Sequence, residues 1–424
     1  MAKILISSIG VGGSFQNKNN PDTTNFERSY RGTTYKIDNK SYPNGRFVAS
    51  VLYQHFNLDG IILIGTVKSM WEEVYRYYSE INGLEKDDDY WLELACKIDE
   101  LKYDSPLDEL DLSPIEQVLG ERSRCILIKY GLDENELWQN LDNFFKIVDS
   151  LKKGDEIYLD ITHSFRSISL FIFLTTTFLK DLVDEKEIKI GGVYYGMLDI
   201  TNEIGGYTPI VDLKSLFDMT SWIKGAYSLK SYGDGYLIAE LLKNQCETTI
   251  ANDIEQLSKA IDINNVNEIK QKSSNLKKSL SQQQTSQNPF KYIRGVLDKF
   301  ITRFARSSVS ESEYQLELAT WYFNNRRYGA GYIVLTEAII TYMCEFHNCN
   351  IKNKDDRELM KNLLHKNYRT TKLANLYFEI NPIRKSIAHA LLNDRNSQSV
   401  HNSILKSLEY CRIAKEIFQT KIIC

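Results

Sequence analysis

Long apolar runs are missing from this chain. None approaches the roughly 18 residues of a membrane-spanning helix. The best candidates, Ile61 to Ile64 and Ile168 to Leu179, read as a strand and a core helix. The opening Met1-Ala-Lys3-Ile-Leu-Ile-Ser-Ser turns polar too soon for a secretory leader and reads as a strand, so a cytoplasmic protein is expected. An excess of one charge is missing too. The 52 Lys and Arg stand against 56 Asp and Glu, a net charge of −4, so any contact with nucleic acid must be local. The 7 cysteines are scattered and odd in number, which argues against a disulfide framework and for free thiols in a reducing compartment. Cys344-Glu-Phe-His347-Asn-Cys349 gathers three metal-ligand types without a fourth at a recognised spacing, so no metal is expected. The glycine loop Ser8-Ile9-Gly10-Val11-Gly12-Gly13 lacks the full GxGxxG pattern, so a dinucleotide fingerprint is not supported.

What is present suits a soluble globular protein: 424 residues, 42% apolar and 25% charged, enough for two or three domains. The first half alternates short β-type runs with helical patterns. Strands are predicted at Lys3–Ser8, Gly60–Ile64, Cys125–Lys129, Glu156–Asp160 and Ile188–Tyr195, with helices over Glu134–Leu151 and Ser167–Leu179. That order predicts an α/β Rossmann-like domain over 1–215, with a parallel-rich sheet and helices on both faces. Turn signals in Thr33–Arg46 suggest a hairpin inserted after the first strand. From 216 strand signals fade. A helical connecting region is expected over 216–310 and an all-α helical bundle over 311–424, with helices near 357–366, 371–380, 382–392 and 398–420. Gln282–Asn288 is a polar low-complexity loop. Nine Lys and Arg lie between Lys270 and Arg306, either an RNA path or a solvated face.

Two motifs carry chemistry. Asp160-Ile-Thr162-His163-Ser-Phe-Arg166 sits where the fourth strand meets a helix, and such a junction offers backbone N–H groups to an anion. Thr162 supplies a hydroxyl, His163 a ring nitrogen and Arg166 a bidentate phosphate donor. Asp160 either holds the turn or accepts from a ribose hydroxyl. Two further loops should end on the same sheet edge. One carries Ser8, Gly10 and Gly12, the other Gly65, Thr66, Ser69 and Trp71. Together they make a polar cradle of the kind found beyond the carboxyl ends of parallel strands. The second motif is Arg384-Lys385-Ser-Ile-Ala-His389. Asn381-Pro382 before it reads as N-cap and first helical residue, which places Arg384 in a first turn. Five residues turn about 140° on a helix, so the Arg and His do not face one way and a second copy of the helix would be needed to complete a site. His acts as acid or base near neutral pH, and Arg stabilises a phosphorane. With the 2′-hydroxyl as internal nucleophile the pair suits metal-free RNA cleavage.

In their order and spacing these motifs, with Gly65-Thr66-x-x-Ser69-x-Trp71 and Thr34-Tyr35, resemble the CRISPR-associated ribonucleases of type III systems. Those proteins join an N-terminal CARF domain to a C-terminal HEPN domain. The resemblance implies a homodimer whose CARF pocket binds a cyclic oligoadenylate, tetra-adenylate favoured. Thr66, Ser69, Thr162, His163 and Arg166 would line that pocket, with Tyr35 alongside. Arg384 and His389 would be the catalytic pair that degrades single-stranded RNA, in antiviral defence. Asn381 and Lys385 would support them, Lys385 standing where many such sites have Asn. Other readings stay open: a sensor without cleavage, a ring nuclease acting at Thr162 and His163, and an unrelated Rossmann-type nucleotide enzyme.

Overall fold

The structure is a computed structural model and describes residues 1–16, 26–30, 32–163, 166–183, 186–282, 289–306, 308–389, 402 and 404–421. The chain divides into two compact units, Met1–Asp218 and Met219–Cys424.

The first unit is built on an eight-stranded sheet. Its strands are β1 (Lys3–Ser8), β4 (Thr33–Ile37), β5 (Lys40–Gly45), β6 (Gly60–Gly65), β7 (Arg124–Leu127), β8 (Glu156–Asp160), β9 (Lys189–Gly196) and β10 (Tyr207–Asp212), in the order β5-β4-β10-β9-β8-β1-β6-β7. A separate antiparallel pair, β2 (Gly13–Gln16) and β3 (Phe26–Ser29), follows β1. The five strands from β7 to β9 are all parallel. Their order steps from β1 outward to β6 and β7, then returns to the other side of β1 for β8 and β9. The order therefore reverses between β1 and β8, the position where doubly wound sheets place a ligand crevice beyond the strand ends.

The alternation of side chains along the strands explains why both sheet faces are covered. Leu5, Ile61 and Leu63 belong to one apolar core, and Ile4, Ile6, Ile62 and Ile64 to the other. On the first face lie α1 (Val48–Phe56), α2 (Trp71–Ile81), α3 (Asp88–Glu100) and α4 (Ser113–Leu119). On the second lie α5 (Glu134–Ser150), α6 (Arg166–Leu182) and the start of α7 (Lys214–Tyr232). The expected hairpin exists as β4–β5, but it is no separate insertion. It joins the main sheet through β10, an unpredicted strand antiparallel to β9 and parallel to β4.

The second unit is helical throughout its described residues, with one core running from Trp222 to Phe418. It continues through α8 (Tyr236–Asn244), α9 (Thr248–Asp262), α10 (Val266–Gln282), α11 (Phe290–Phe304), α12 (Glu311–Asn324), α13 (Tyr328–Phe346), α14 (Lys354–Lys366), α15 (Lys372–Ala388) and α16 (Ser407–Thr420). The regions expected at 216–310 and 311–424 thus share a core. The low-complexity loop lies outside the described residues at 283–288, as does 390–401 in the last expected helices.

One local expectation is overturned. Asn381-Pro382 does not begin a helix. α15 starts at Lys372, capped by Thr371 Oγ1, which accepts from Ala374 N–H at 3.3 Å, and it runs through Pro382. The apolar positions explain this. Leu373, Leu376, Ile380, Ile383 and Ile387 keep a 3-4-3-4 spacing across the proline and pack into the core, while Pro382 sits on the exposed face. Proline there removes one helical hydrogen bond, yet burial of the stripe on both sides keeps the helix continuous.

Candidate functional site

The crevice beyond β1 and β8 is organised by one carboxylate. Ser7 lies opposite Asp160 in the register. Asp160 is fully buried, accepting from the Ser7 hydroxyl at 2.7 Å and from Thr162 N–H at 2.9 Å. Both oxygens are thus engaged in holding the turn out of β8. Thr162 Oγ1 accepts from Gly196 N–H at 2.8 Å, tying that turn to the end of β9. His163 follows with its ring edge-on to Tyr30 at 5.1 Å. Arg166 opens α6; its side chain, like Ser164 and Phe165, lies outside the described set.

The other two loops are tied to each other. Ser69 Oγ accepts from Thr66 N–H and donates to the Ile9 carbonyl, both at 2.9 Å. Trp71 Nε1–H donates to the Thr66 carbonyl at 2.9 Å, and Met70 N–H reaches the Gly10 carbonyl at 3.1 Å. Thr66, Ser69 and Trp71 are all buried. Their observed contacts position the loops, and Trp71 is a core residue. Gly65 has a steric reason to lack a side chain: a Cβ would stand 2.8 Å from Ser69 Oγ and from the Trp71 ring. Gly12, at φ +70°, would put a Cβ on the Met70 sulfur.

Tyr30 and Tyr78 are the residues the motif search missed. Gly10 N–H donates to Tyr30 Oη at 2.9 Å, and the Tyr30 hydroxyl donates to the Gly10 carbonyl at 3.0 Å. Burial raises the hydroxyl pKa of Tyr30, Tyr35 and Tyr78, and the Asp160 charge adds to each shift. The available signal was composition: 26 tyrosines, with Tyr75, Tyr77 and Tyr78 on one helix.

Four buried side-chain atoms here have no hydrogen-bond partner among the described residues: Ser8 Oγ, Tyr35 Oη, Tyr78 Oη and His163 Nε2. Leaving such a group unpaired costs about 1–3 kcal/mol. The arrangement therefore suits occupation by something that offers both donors and acceptors.

Burial pushes the His163 pKa down, against the pull of Asp160. As pH falls through the ordinary histidine range near 6.5, the unfolded chain takes a proton that the folded imidazole resists, so stability is lost on acidification. Full-length His163→Gln should lose less in its urea midpoint between pH 7.5 and 5.5 than the wild type. The difference is bounded at about 1.4 kcal/mol per pH unit. Equal losses would refute a neutral buried imidazole.

The second candidate lies at the far end of α15. Because the helix begins at Lys372, Arg384 falls in its last two turns and His389 at its C-cap. Arg384 is half-buried, and its Nε is buried without a hydrogen-bond partner among the described residues. It lies near Tyr377, whose pKa is raised by burial and Glu337, with Arg384 opposing. His389 and Lys385 are exposed, and the His389 backbone N–H closes the helix on the Lys385 carbonyl at 3.1 Å. Asn381 is buried inside the helix rather than capping it.

Residues 4–199 match the family described as CRISPR system endoribonuclease Csx1, CARF domain, and residues 218–311 match CRISPR-associated protein MJ1674, second domain. The chain is 37% identical over 413 residues to CRISPR-associated protein MJ1674 of Methanocaldococcus jannaschii, a match covering 92% of this chain and 62% of the relative. The chain thus spans less than two thirds of that protein's length. A solved structure, Enterococcus italicus Csm6 bound to cyclic hexa-2′-fluoro-hexa-dAMP, is similar over 99% of this chain and 95% of that one, at 12% identity and a TM-score of 0.34. The comparisons together support a CRISPR-associated protein whose residues 4–199 form a CARF domain, with the strand ends of β1 and β8 inside it.

Proposed function

We propose that this protein is a cyclic oligoadenylate-gated, metal-independent endoribonuclease of type III CRISPR antiviral defence, acting in the cytoplasm as a homodimer. The observation that carries the reading is the set of four unpartnered buried polar atoms around Asp160 at the switch point of the sheet. A cyclic adenylate, tetra-adenylate favoured, offers base edges, ribose hydroxyls and phosphates to satisfy them. The N-terminus of α6 and Arg166 would take phosphate. The exposed apolar residues Leu170, Leu174 and Leu182 of α6 offer a surface to a second copy.

The helical unit acts as a HEPN ribonuclease in this reading. The 2′-oxygen of the substrate attacks the adjacent phosphorus and the 5′-oxygen leaves, giving a 2′,3′-cyclic phosphate and a 5′-hydroxyl. His389 moves a proton at the 2′- or 5′-oxygen, and Arg384 offsets charge on the phosphorane oxygens. Two copies of the helix end supply both acid and base. Activator binding selects the dimer state in which they align.

The test is cleavage of a fluorescent single-stranded RNA in EDTA, with and without cyclic tetra- or hexa-adenylate. Activation by one ring is expected. Equal rates with and without saturating ring would remove the gating. Loss of the ring itself, without RNA cleavage, would favour chemistry at Thr162 and His163 instead.

A further inference from the structure

We propose that the end of the α10–α11 hairpin is a docking surface for single-stranded RNA, formed by elements other than the helix that carries Arg384 and His389. The occupant rests on the RNA substrate proposed above; the surface rests on its own observations. Between Lys270 and Arg306 nine Lys and Arg stand against the single acid Asp298, a local charge of +8 in a chain of net −4. Three of the nine are neutralised within the unit: Lys270 by Glu311 at 3.1 Å, Arg303 by Glu317 at 2.5 Å, and Arg294 by Asp298 at 3.8 Å. Lys277, Lys278, Lys291 and Lys299 are exposed and in no ion pair among the described residues. No described residue forms an ion pair with them, which leaves the patch free to exchange its solvent counterions for the phosphates of a partner.

The two helices bring these groups together. α10 buries Ile269, Leu276 and Leu280, and α11 buries Ile293, Leu297 and Phe300, which leaves the basic residues outside. Arg294 donates to the Leu280 carbonyl, pinning the last turns of α10 to the first turns of α11. Lys277, Lys278 and Lys291 thus share one end of the hairpin.

An aromatic ring lies among them. Tyr292 is 68% exposed, with Lys291 Nζ 4.8 Å from its ring centroid. One turn on, Gly295 has open space where a side chain would stand. No packing requires glycine there, although it is a poor helix former. Its effect is to leave the strip beside the Tyr292 ring clear. An exposed ring with a lysine over it and others near it matches a nucleic-acid single strand, whose bases stack while its phosphates track the cations. A membrane surface or an acidic protein would use the charge and not the cleared ring.

Binding of a 5′-labelled 20-nucleotide RNA to the full-length protein, followed by anisotropy at 50 and 200 mM KCl without activator, tests this. RNA integrity is checked on a gel. K277E/K278E/K291E is expected to bind at least 10-fold more weakly, and its salt slope to fall by about 2, roughly 0.7 for each phosphate no longer neutralised. Tyr292→Ala should weaken binding about 5-fold or more, from lost stacking. All four side chains are exposed, so thermal unfolding should not move. Unchanged affinity and slope in the triple variant overturn the proposal. So does lost binding to phosphatidylglycerol vesicles with RNA binding intact. Weaker RNA binding in a protein that never cleaves RNA would keep this surface and remove the ribonuclease reading. Gated cleavage with unchanged binding would do the reverse.

Discussion

Replacing His389 by alanine should lower activated RNA cleavage by about 10²- to 10⁴-fold, the usual contribution of a positioned acid or base. The fold should not suffer. The His389 side chain is exposed, and only its backbone N–H serves the helix end. Such a change usually stays within about 0.5 kcal/mol. Arg384→Ala should cost about 10²- to 10³-fold through lost stabilisation of the phosphorane. It should also cost some stability, because the side chain is half-buried. The double variant should be no slower than the worse single one, since groups that act on one transition state are not additive. Single-turnover rates in EDTA, with thermal unfolding of each variant and mass analysis of the product ends, check all of this. Wild-type rates in His389→Ala would move the chemistry away from this helix end. A 3′-hydroxyl product would exclude attack by the 2′-oxygen.

The parts of the fold that could be read from the sequence are those where one local signal dominates. β1, β6 and β8 are short apolar runs buried on both faces, and their order alone places the crevice. β10 escaped because Tyr207–Asp212 carries Pro209 and ends in Asp212. It is a strand only because it finds β9 on one side and β4 on the other. The start of α15 was misread for the opposite reason. Asn381-Pro382 is a strong local start signal, but the stripe from Leu373 to Ile387 was already periodic through it. Burial of that stripe outweighs one missing hydrogen bond. In the crevice, Asp160, Thr162 and His163 were legible as a motif. Tyr35 was named only through the family resemblance, and Tyr30 and Tyr78 were not named, because they belong to no motif and feel the Asp160 charge only in the fold.

Asp160 is the position where stability and binding can be separated. Its carboxylate is buried and satisfies the Ser7 hydroxyl and Thr162 N–H. Asp160→Ala strands both donors and should cost about 3–4 kcal/mol, seen as a lower urea midpoint. It also frees the Thr162–His163 turn, so ligand binding should go with it. Asp160→Asn is different. Its amide oxygen can still accept from Thr162 N–H, and the Ser7 hydroxyl can rotate to accept from the new NH₂ group. The cost should be nearer 1 kcal/mol. What Asn removes is the negative charge, which opposes a phosphate in the crevice. If Asp160 serves only to hold the turn, Asp160→Asn should bind cyclic tetra-adenylate as tightly as the wild type or several-fold more tightly in calorimetry. A loss of 10-fold or more at near-wild-type stability would show that the carboxylate itself takes a hydroxyl of the ligand. In that case the ligand hydroxyl takes a remaining lone pair of the carboxylate or displaces one of its two turn-holding bonds.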